Sequence, residues 1–157
     1  MRIGSSLFIR LCYNNLGMEK PKYEIVEHTA DVALRIYGRT LEDLFGVAGE
    51  ALFEIIGACR QRNRTIRRTI EIEADGLEDL FHDWLSELNY LHQTRREVYF
   101  DFHVLRLNDR TLEAAVSGEP IDPERHKIDR EIKAVTYHRL SVERAAEGWQ
   151  AFVIFDI

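Results

Sequence analysis

Cysteine, proline and long apolar runs are all scarce in this chain. Its 157 residues include 2 cysteines and 3 prolines. Cys12 and Cys59 form neither a CxxC pair nor a zinc-ligand spacing. With no disulfide framework, a reducing cytoplasm is the expected location. No apolar run approaches the ~20 residues that cross a bilayer. A glycine-rich phosphate loop, an HExxH pair and a GxSxG elbow are also missing, so three common routes to hydrolytic chemistry have no signature here. Positive charge is in deficit too: 21 Lys and Arg face 27 Asp and Glu, a formal charge of −6. Free-standing nucleic-acid binding usually draws its affinity from a basic face. The overall balance argues against it, while a local basic patch stays open.

Hydrophobic residues make up 45% of the chain, enough for a packed core, and the length suits one domain. The opening "MRIGSSLFIRLCYNNLG" has a short apolar run broken by Arg10 and no small-residue cleavage site after it. Regular patterning begins after Met18. Residues 1–21 are therefore read as an N-terminal extension, flexible or a mis-assigned start, and residues 22–157 as the folded domain.

Within that domain the hydrophobic period alternates between 2 and 3.6. In "DVALRIYG", Val32, Leu34 and Ile36 share one face, which predicts a half-buried strand. In "TLEDLFGVAGEALFEIIGA", Leu41, Leu44, Phe45, Ala48, Leu52, Ile55 and Ile56 fall at helical spacing. Thr40 with Asp43 reads as its cap and Gly57 as its stop. Gly46 and Gly49 lower helix propensity, which predicts close approach to a sheet. "TIEIEA" is another alternating strand. "DGLEDLFHDWLSELNYLHQ" is a second amphipathic helix, with Asp75 and Glu78 as its expected cap. Two hairpins close the chain, one around "NDR" and one around "RAAEG". The order is ββαβαββββ, an α+β two-layer domain of mostly antiparallel sheet with two helices.

Four places could carry chemistry. Glu27, His28 and Asp31 sit between two strands. The plain reading is a turn in which Asp and Thr side chains cap backbone amides; the functional one is a hard-cation site of carboxylate oxygens. The terminal "FVIFDI" puts Asp156 beside the carboxylate of Ile157, either as a solvated end or as a partner for Asp31. In "EIKAVTYH", Lys133 reads as a surface lysine and His138 as a sheet histidine, unless either serves a partner. "RQRNRTIRR" is a solvated connector or a contact for RNA phosphate or an acidic partner. Cys59 reads as a half-buried structural thiol.

Five blocks occur in order: "EHTADVALRIYGRTLEDLFGVAGEALFEI", "DWLSELNYL", "GEPIDPERH", "EIKAVTYH" and "VIFDI". Together they resemble the archease family, over Lys22 to Ile157. The resemblance implies a protein that is not itself an enzyme. It implies a chaperone-like, metal-binding activator of the tRNA-splicing RNA ligase of the RtcB type, promoting guanylylation and multiple turnover. RNA would be met only through the ligase complex, with no membrane contact. It further implies a divalent cation, calcium first with magnesium or manganese as alternatives, on Asp31, Asp156 and Ile157. That cation could be shared with the ligase's metal-dependent guanylylation site, or it could fix the C-terminus and shape a docking surface. Glu27, His28, Arg125 and Lys133 are the candidate partner contacts. The competing readings are a metal-dependent hydrolase using Asp31, Asp156, His28 and His126, and a general modulator of RNA- or protein-modifying enzymes.

Overall fold

A computed structural model describes residues 22–57 and 62–157, together with the backbone of Phe8–Cys12. Its elements are β1 (Phe8–Cys12), β2 (Tyr23–Glu27), β3 (Asp31–Gly38), α1 (Leu41–Ile56), β4 (Ile66–Glu73), α2 (Leu77–Arg95), β5 (Glu97–Leu107), β6 (Thr111–Pro120), β7 (Ala134–Ala145) and β8 (Gly148–Asp156). From β2 onward this is the order expected from the sequence. Ahead of it, the backbone of β1 pairs antiparallel with β2, from Phe8 opposite Glu27 to Cys12 opposite Tyr23. Apart from that segment, the N-terminal extension lies outside the described residues, as do Cys59 and Arg60.

The strands divide into two antiparallel sheets rather than one. A five-stranded sheet runs β1-β2-β3-β8-β7 and a three-stranded sheet runs β4-β6-β5. α1 packs on β3 of the first sheet and on β5 of the second. A helix that serves two sheets must be apolar nearly all round. Leu44, Phe45, Val47, Ala48, Ala51, Leu52, Phe53, Ile55 and Ile56 are accordingly all buried. Gly49 marks a close approach to the second sheet, because a Cβ there would lie 2.6 Å from the Phe102 ring of β5. The cap of α1 is as expected: Asp43 N donates to Thr40 Oγ1 at 3.1 Å, and Arg39 N to Asp43 Oδ2 at 2.9 Å. The expected cap of α2 is not formed. Its N-cap is Gly76, which has no side chain to offer, and Glu78 Oε1 instead receives Val142 N.

α2 packs on β7 and ties it down with polar side chains. Asn89 Nδ2 and Gln93 Nε2 both donate to the Ile132 carbonyl, at 2.9 and 2.7 Å. His82 Nε2 donates to the Val135 carbonyl at 2.8 Å. The sequence pattern of this helix shows only an apolar stripe. The three polar groups fix how the chain enters β7, and hence what stands beside the end of β8.

Candidate functional site

"HTAD" is a tight hairpin. His28 N donates to the Asp31 carbonyl at 3.0 Å, which closes the loop over Thr29 and Ala30. The turn is held by backbone, not by the side-chain caps that the plain reading expects. Among the described residues the Asp31 carboxylate has no hydrogen-bond or ion-pair partner. Asp31 itself belongs to a strand, not to the turn. It is the first residue of β3 and stands directly opposite Asp156 of β8.

Which kind of pair they form follows from the next hydrogen bond. Ile157 N donates to the Ala30 carbonyl at 3.3 Å, so Ala30 and Ile157 are a hydrogen-bonded pair. Pairs alternate along an antiparallel ladder, which makes Asp31 and Asp156 a non-hydrogen-bonded pair. In such pairs the Cα atoms are about 4.5 Å apart and the side chains are closest. Val32, Leu34 and Ile36 fill the inner face of β3, and Ala151, Val153 and Phe155 that of β8. The two carboxylates therefore share the outer face, at the end where the chain stops. Lys133 joins them through its backbone, its N–H donating to the Asp156 carbonyl at 2.8 Å. Its exposed ammonium has no partner among the described residues.

Oxygen donors grouped this way suit a hard cation such as calcium, magnesium or manganese. Among the described residues no three His, Cys, Asp or Glu side chains gather closely enough to hold a metal ion. A cation here would need Asp31, Asp156 and further donors that are not His, Cys, Asp or Glu side chains.

The other candidates do not join this cluster. Glu27 pairs with Arg130 at 3.3 Å. His28 is exposed and lines the same outer-face concavity as Asp31. Arg125 lies elsewhere, bound by its Nε to Asp122 at 3.0 Å and by Nη1 to Glu119 at 3.5 Å. Arg125 holds the Asp122 carboxyl below its usual range, with backbone hydrogen bonding helping. His126 is buried in the same loop, where it receives Asp122 N on Nδ1 at 2.7 Å. Nε2 then carries the ring proton and donates to Glu119. Both nitrogens are spent, and the cavity that His126 lines contains neither Asp31 nor His28. The hydrolase reading needs His126 beside Asp31, and the fold separates them.

Within the arginine-rich connector Arg64 pairs with Asp101, Arg68 forms a two-pronged pair with Glu97, and Arg62 lies 5.6 Å from the Phe100 ring centroid. Arg62, Arg64 and Arg67 are nonetheless exposed, as the solvated-connector reading expects. An RNA contact through Arg64 or Arg68 would have to break these pairs, whereas Arg67 has none to break among the described residues.

Sequence reasoning misses the middle of β7. Thr136 pairs with Ile154 and Ser141 with Phe152, so four residues on β7 span what one residue, Val153, spans on β8. Within this bulge Arg139 has φ of 58° and lies 5.1 Å from the Phe152 ring centroid, with Arg35 at 5.8 Å. Tyr137 stacks on His82 at 3.9 Å. No glycine or proline in "TYHRLS" signals an interruption.

Fold and site together define a class: small α+β proteins whose last strand runs inside the sheet and carries acidic groups to the chain end. The Archease protein family matches residues 23–157, and this chain belongs to it. Protein archease of Methanosarcina mazei is 39% identical over 140 residues, covering 87% of this chain and 96% of that one. Protein archease of Pyrococcus furiosus is likewise 39% identical over 140 residues, covering 87% and 99%. A solution structure of protein 1598 from Methanobacterium thermoautotrophicum matches with a TM-score of 0.71 at 28% identity, covering 87% of this chain and 99% of that one. A crystal structure of an archease from Thermotoga maritima, described as a possible chaperone, matches with a TM-score of 0.57 at 26% identity, over 89% and 98%. Among the described residues no helix is long and apolar enough to cross a membrane.

Proposed function

We propose that this protein is a non-enzymatic, chaperone-like activator of the RtcB-type tRNA-splicing RNA ligase, promoting its GTP-dependent guanylylation and repeated turnover. In this reading Asp31, Asp156 and the Ile157 carboxylate hold a divalent cation, calcium first and magnesium or manganese next. The observation that carries the reading is the register of β3 and β8. It puts two carboxylates side by side, one of them unspent in the turn that forms it. Two such groups about 4–5 Å apart on an open surface repel by roughly 1 kcal/mol, and a shared cation relieves that cost. His28, exposed in the same concavity as Asp31, and Lys133, exposed next to Ala134 that pairs with Asp156, are the first side chains to test for contact with a docked ligase. Arg125 is a weaker candidate for contact, because it already serves Glu119 and Asp122.

The test is ligase guanylylation, and ligation with substrate in excess of ligase, with and without this protein. The expected result is faster guanylylation and product beyond one equivalent of ligase, both lost in Asp31→Ala. Ligation that stays at one equivalent with the wild-type protein present would remove this function. Steady GTP turnover by the protein alone, abolished by Asp31→Ala, would favour a metal-dependent hydrolase instead.

A further inference from the structure

The outer face of the five-stranded sheet carries a second group of residues that the cation site does not use. Phe152 on β8 is flanked by a guanidinium from each neighbouring strand, Arg35 of β3 and Arg139 of β7. Arg35 stands directly opposite Phe152 in the ladder. Arg139 gets there only through the bulge and a left-handed backbone, which a non-glycine residue adopts at a cost. Bulges of this kind re-aim side chains. Two concavities adjoin at this spot, of ≈ 610 and ≈ 350 Å³, and both are lined by Arg35, Arg139 and Phe152. The larger is also lined by His28 and His138.

The two guanidiniums are only lightly engaged. Arg139 has no ion-pair partner among the described residues. Arg35 meets Glu24 at 3.5 Å as an exposed pair, a kind that contributes little. Two carboxylates also line the concavities: Asp31 in the larger one, and Glu143 in the smaller one, where it accepts from Gln150. In a chain of net charge −6, two lightly engaged guanidiniums over one aromatic ring are a local concentration of positive charge that an anion could meet. A concavity of several hundred Å³ suits one small unit rather than a folded surface.

We propose that this face binds a nucleotide, its phosphate held by Arg35 and Arg139 and its base seated in the larger concavity, at the edge of Phe152 and beside His28 and His138. The proposal goes beyond the activator reading, in which RNA is met only through the ligase. Arginine and an aromatic platform are the combination by which proteins take single-stranded nucleic acid without reading its sequence. An acidic peptide would satisfy the guanidiniums but leave the ring and imidazoles without a role.

The experiment titrates the full chain with GMP and, separately, with a fluorescent ten-nucleotide RNA, in EDTA. Anisotropy and amide chemical shifts are recorded together. Shifts are expected at Arg35, Arg139, Phe152 and His28. Arg139→Gly tolerates the positive φ and removes the guanidinium; it and Arg35→Gln should each weaken binding about tenfold or more. Each should also reduce the slope of log K against log salt by about 0.7 for every phosphate that is no longer neutralised. Arg67→Gln, on exposed β4, should change neither. GMP binding as tightly as RNA identifies a free nucleotide as the ligand, and binding of RNA alone identifies a strand. Equal affinity in wild type and the Arg35→Gln, Arg139→Gly double variant overturns the proposal. So does full competition by a poly-glutamate peptide, or shifts confined to β4.

Discussion

The most discriminating perturbation is Asp31→Asn, because its effect on stability should change sign with the cation. Asn keeps the size of the side chain and its tolerance of turns, and it removes one charge from a non-hydrogen-bonded cross-strand pair. At about 5 Å, two carboxylates repel by roughly 3 kcal/mol at an effective dielectric of 20 and by under about 1 kcal/mol in water. Asp156 is exposed and Asp31 only half-buried, so the lower end applies. In EDTA the variant should therefore be more stable than wild type by about 1 kcal/mol, roughly 2–4 °C in Tm for a chain of this size. With calcium at about 100 times Kd the wild type gains about 2.7 kcal/mol through binding to the native state, and the variant gains little. The order of Tm values should then reverse. Scanning calorimetry in EDTA and in calcium, with manganese and magnesium as further arms, reads this directly. A chain extended beyond Ile157 should lose the calcium gain while keeping wild-type stability in EDTA. An equal calcium-induced shift in wild type and Asp31→Asn would refute the site, and an undiminished shift in the extended chain would remove the terminal carboxylate from it.

Two further predictions concern the scaffold. Gly118→Ala should destabilise more than Gly49→Ala, because its Cβ would meet the Val98 carbonyl at 1.9 Å whereas that of Gly49 meets a side-chain ring at 2.6 Å. Helix propensity returns up to about 1 kcal/mol to Gly49→Ala alone, and urea unfolding should rank the two. Glu97→Gln should cost about 3 kcal/mol, since the buried carboxylate accepts from both Arg68 and Tyr99. Arg68 holds Glu97 below the usual carboxylate range. Its stabilisation is thus complete above the unfolded value near 4.5 and is lost as pH falls through the lower folded value. The wild type should lose stability over that acid window and the variant should not, and parallel slopes in both would show that another group carries the acid dependence.

The elements of this fold were legible because their burial follows their hydrophobic period. Val32, Leu34 and Ile36 alternate in sequence and are all fully buried. The split into two sheets was not legible. It depends on α1 being apolar on both sides, and a window of helical spacing reports that a face is buried without saying how many sheets it meets. The opposition of Asp31 and Asp156 was within reach as a suspicion but not as a geometry. A register is set by two strands far apart in sequence, and moving it by one residue would turn every side chain of β8 to the other face. The bulge in β7 left no trace at all. "TYHRLS" has good strand formers, and only pairing with β8 reveals that four of its residues answer to one.

That same pairing places the proposed cation site and the bulge along one strand. β8 runs between β3 and β7, so each outward side chain of β8 has a neighbour on both sides. At the end of β8, Asp156 meets Asp31 on one flank and Ala134 on the other. Two positions in from there, Ile154 meets Thr136, and beyond it the bulge begins. Ser141 is the ladder partner of Phe152 on β7, and Arg139 is one of the four bulge residues just before it. The extra residues let Arg139 lie over the ring from the flank opposite Arg35. Acidic groups at the strand end and guanidiniums further along it then share one open surface. A cation at the first and a phosphate at the second would attract one another, which couples the two sites through charge rather than through any movement of the chain. Adding calcium should therefore tighten nucleotide binding, and by reciprocity nucleotide should tighten calcium binding by the same factor. Both factors are measurable by titrating each ligand in the presence of the other, and a calcium effect on RNA affinity that survives unchanged in Asp31→Asn would break the link.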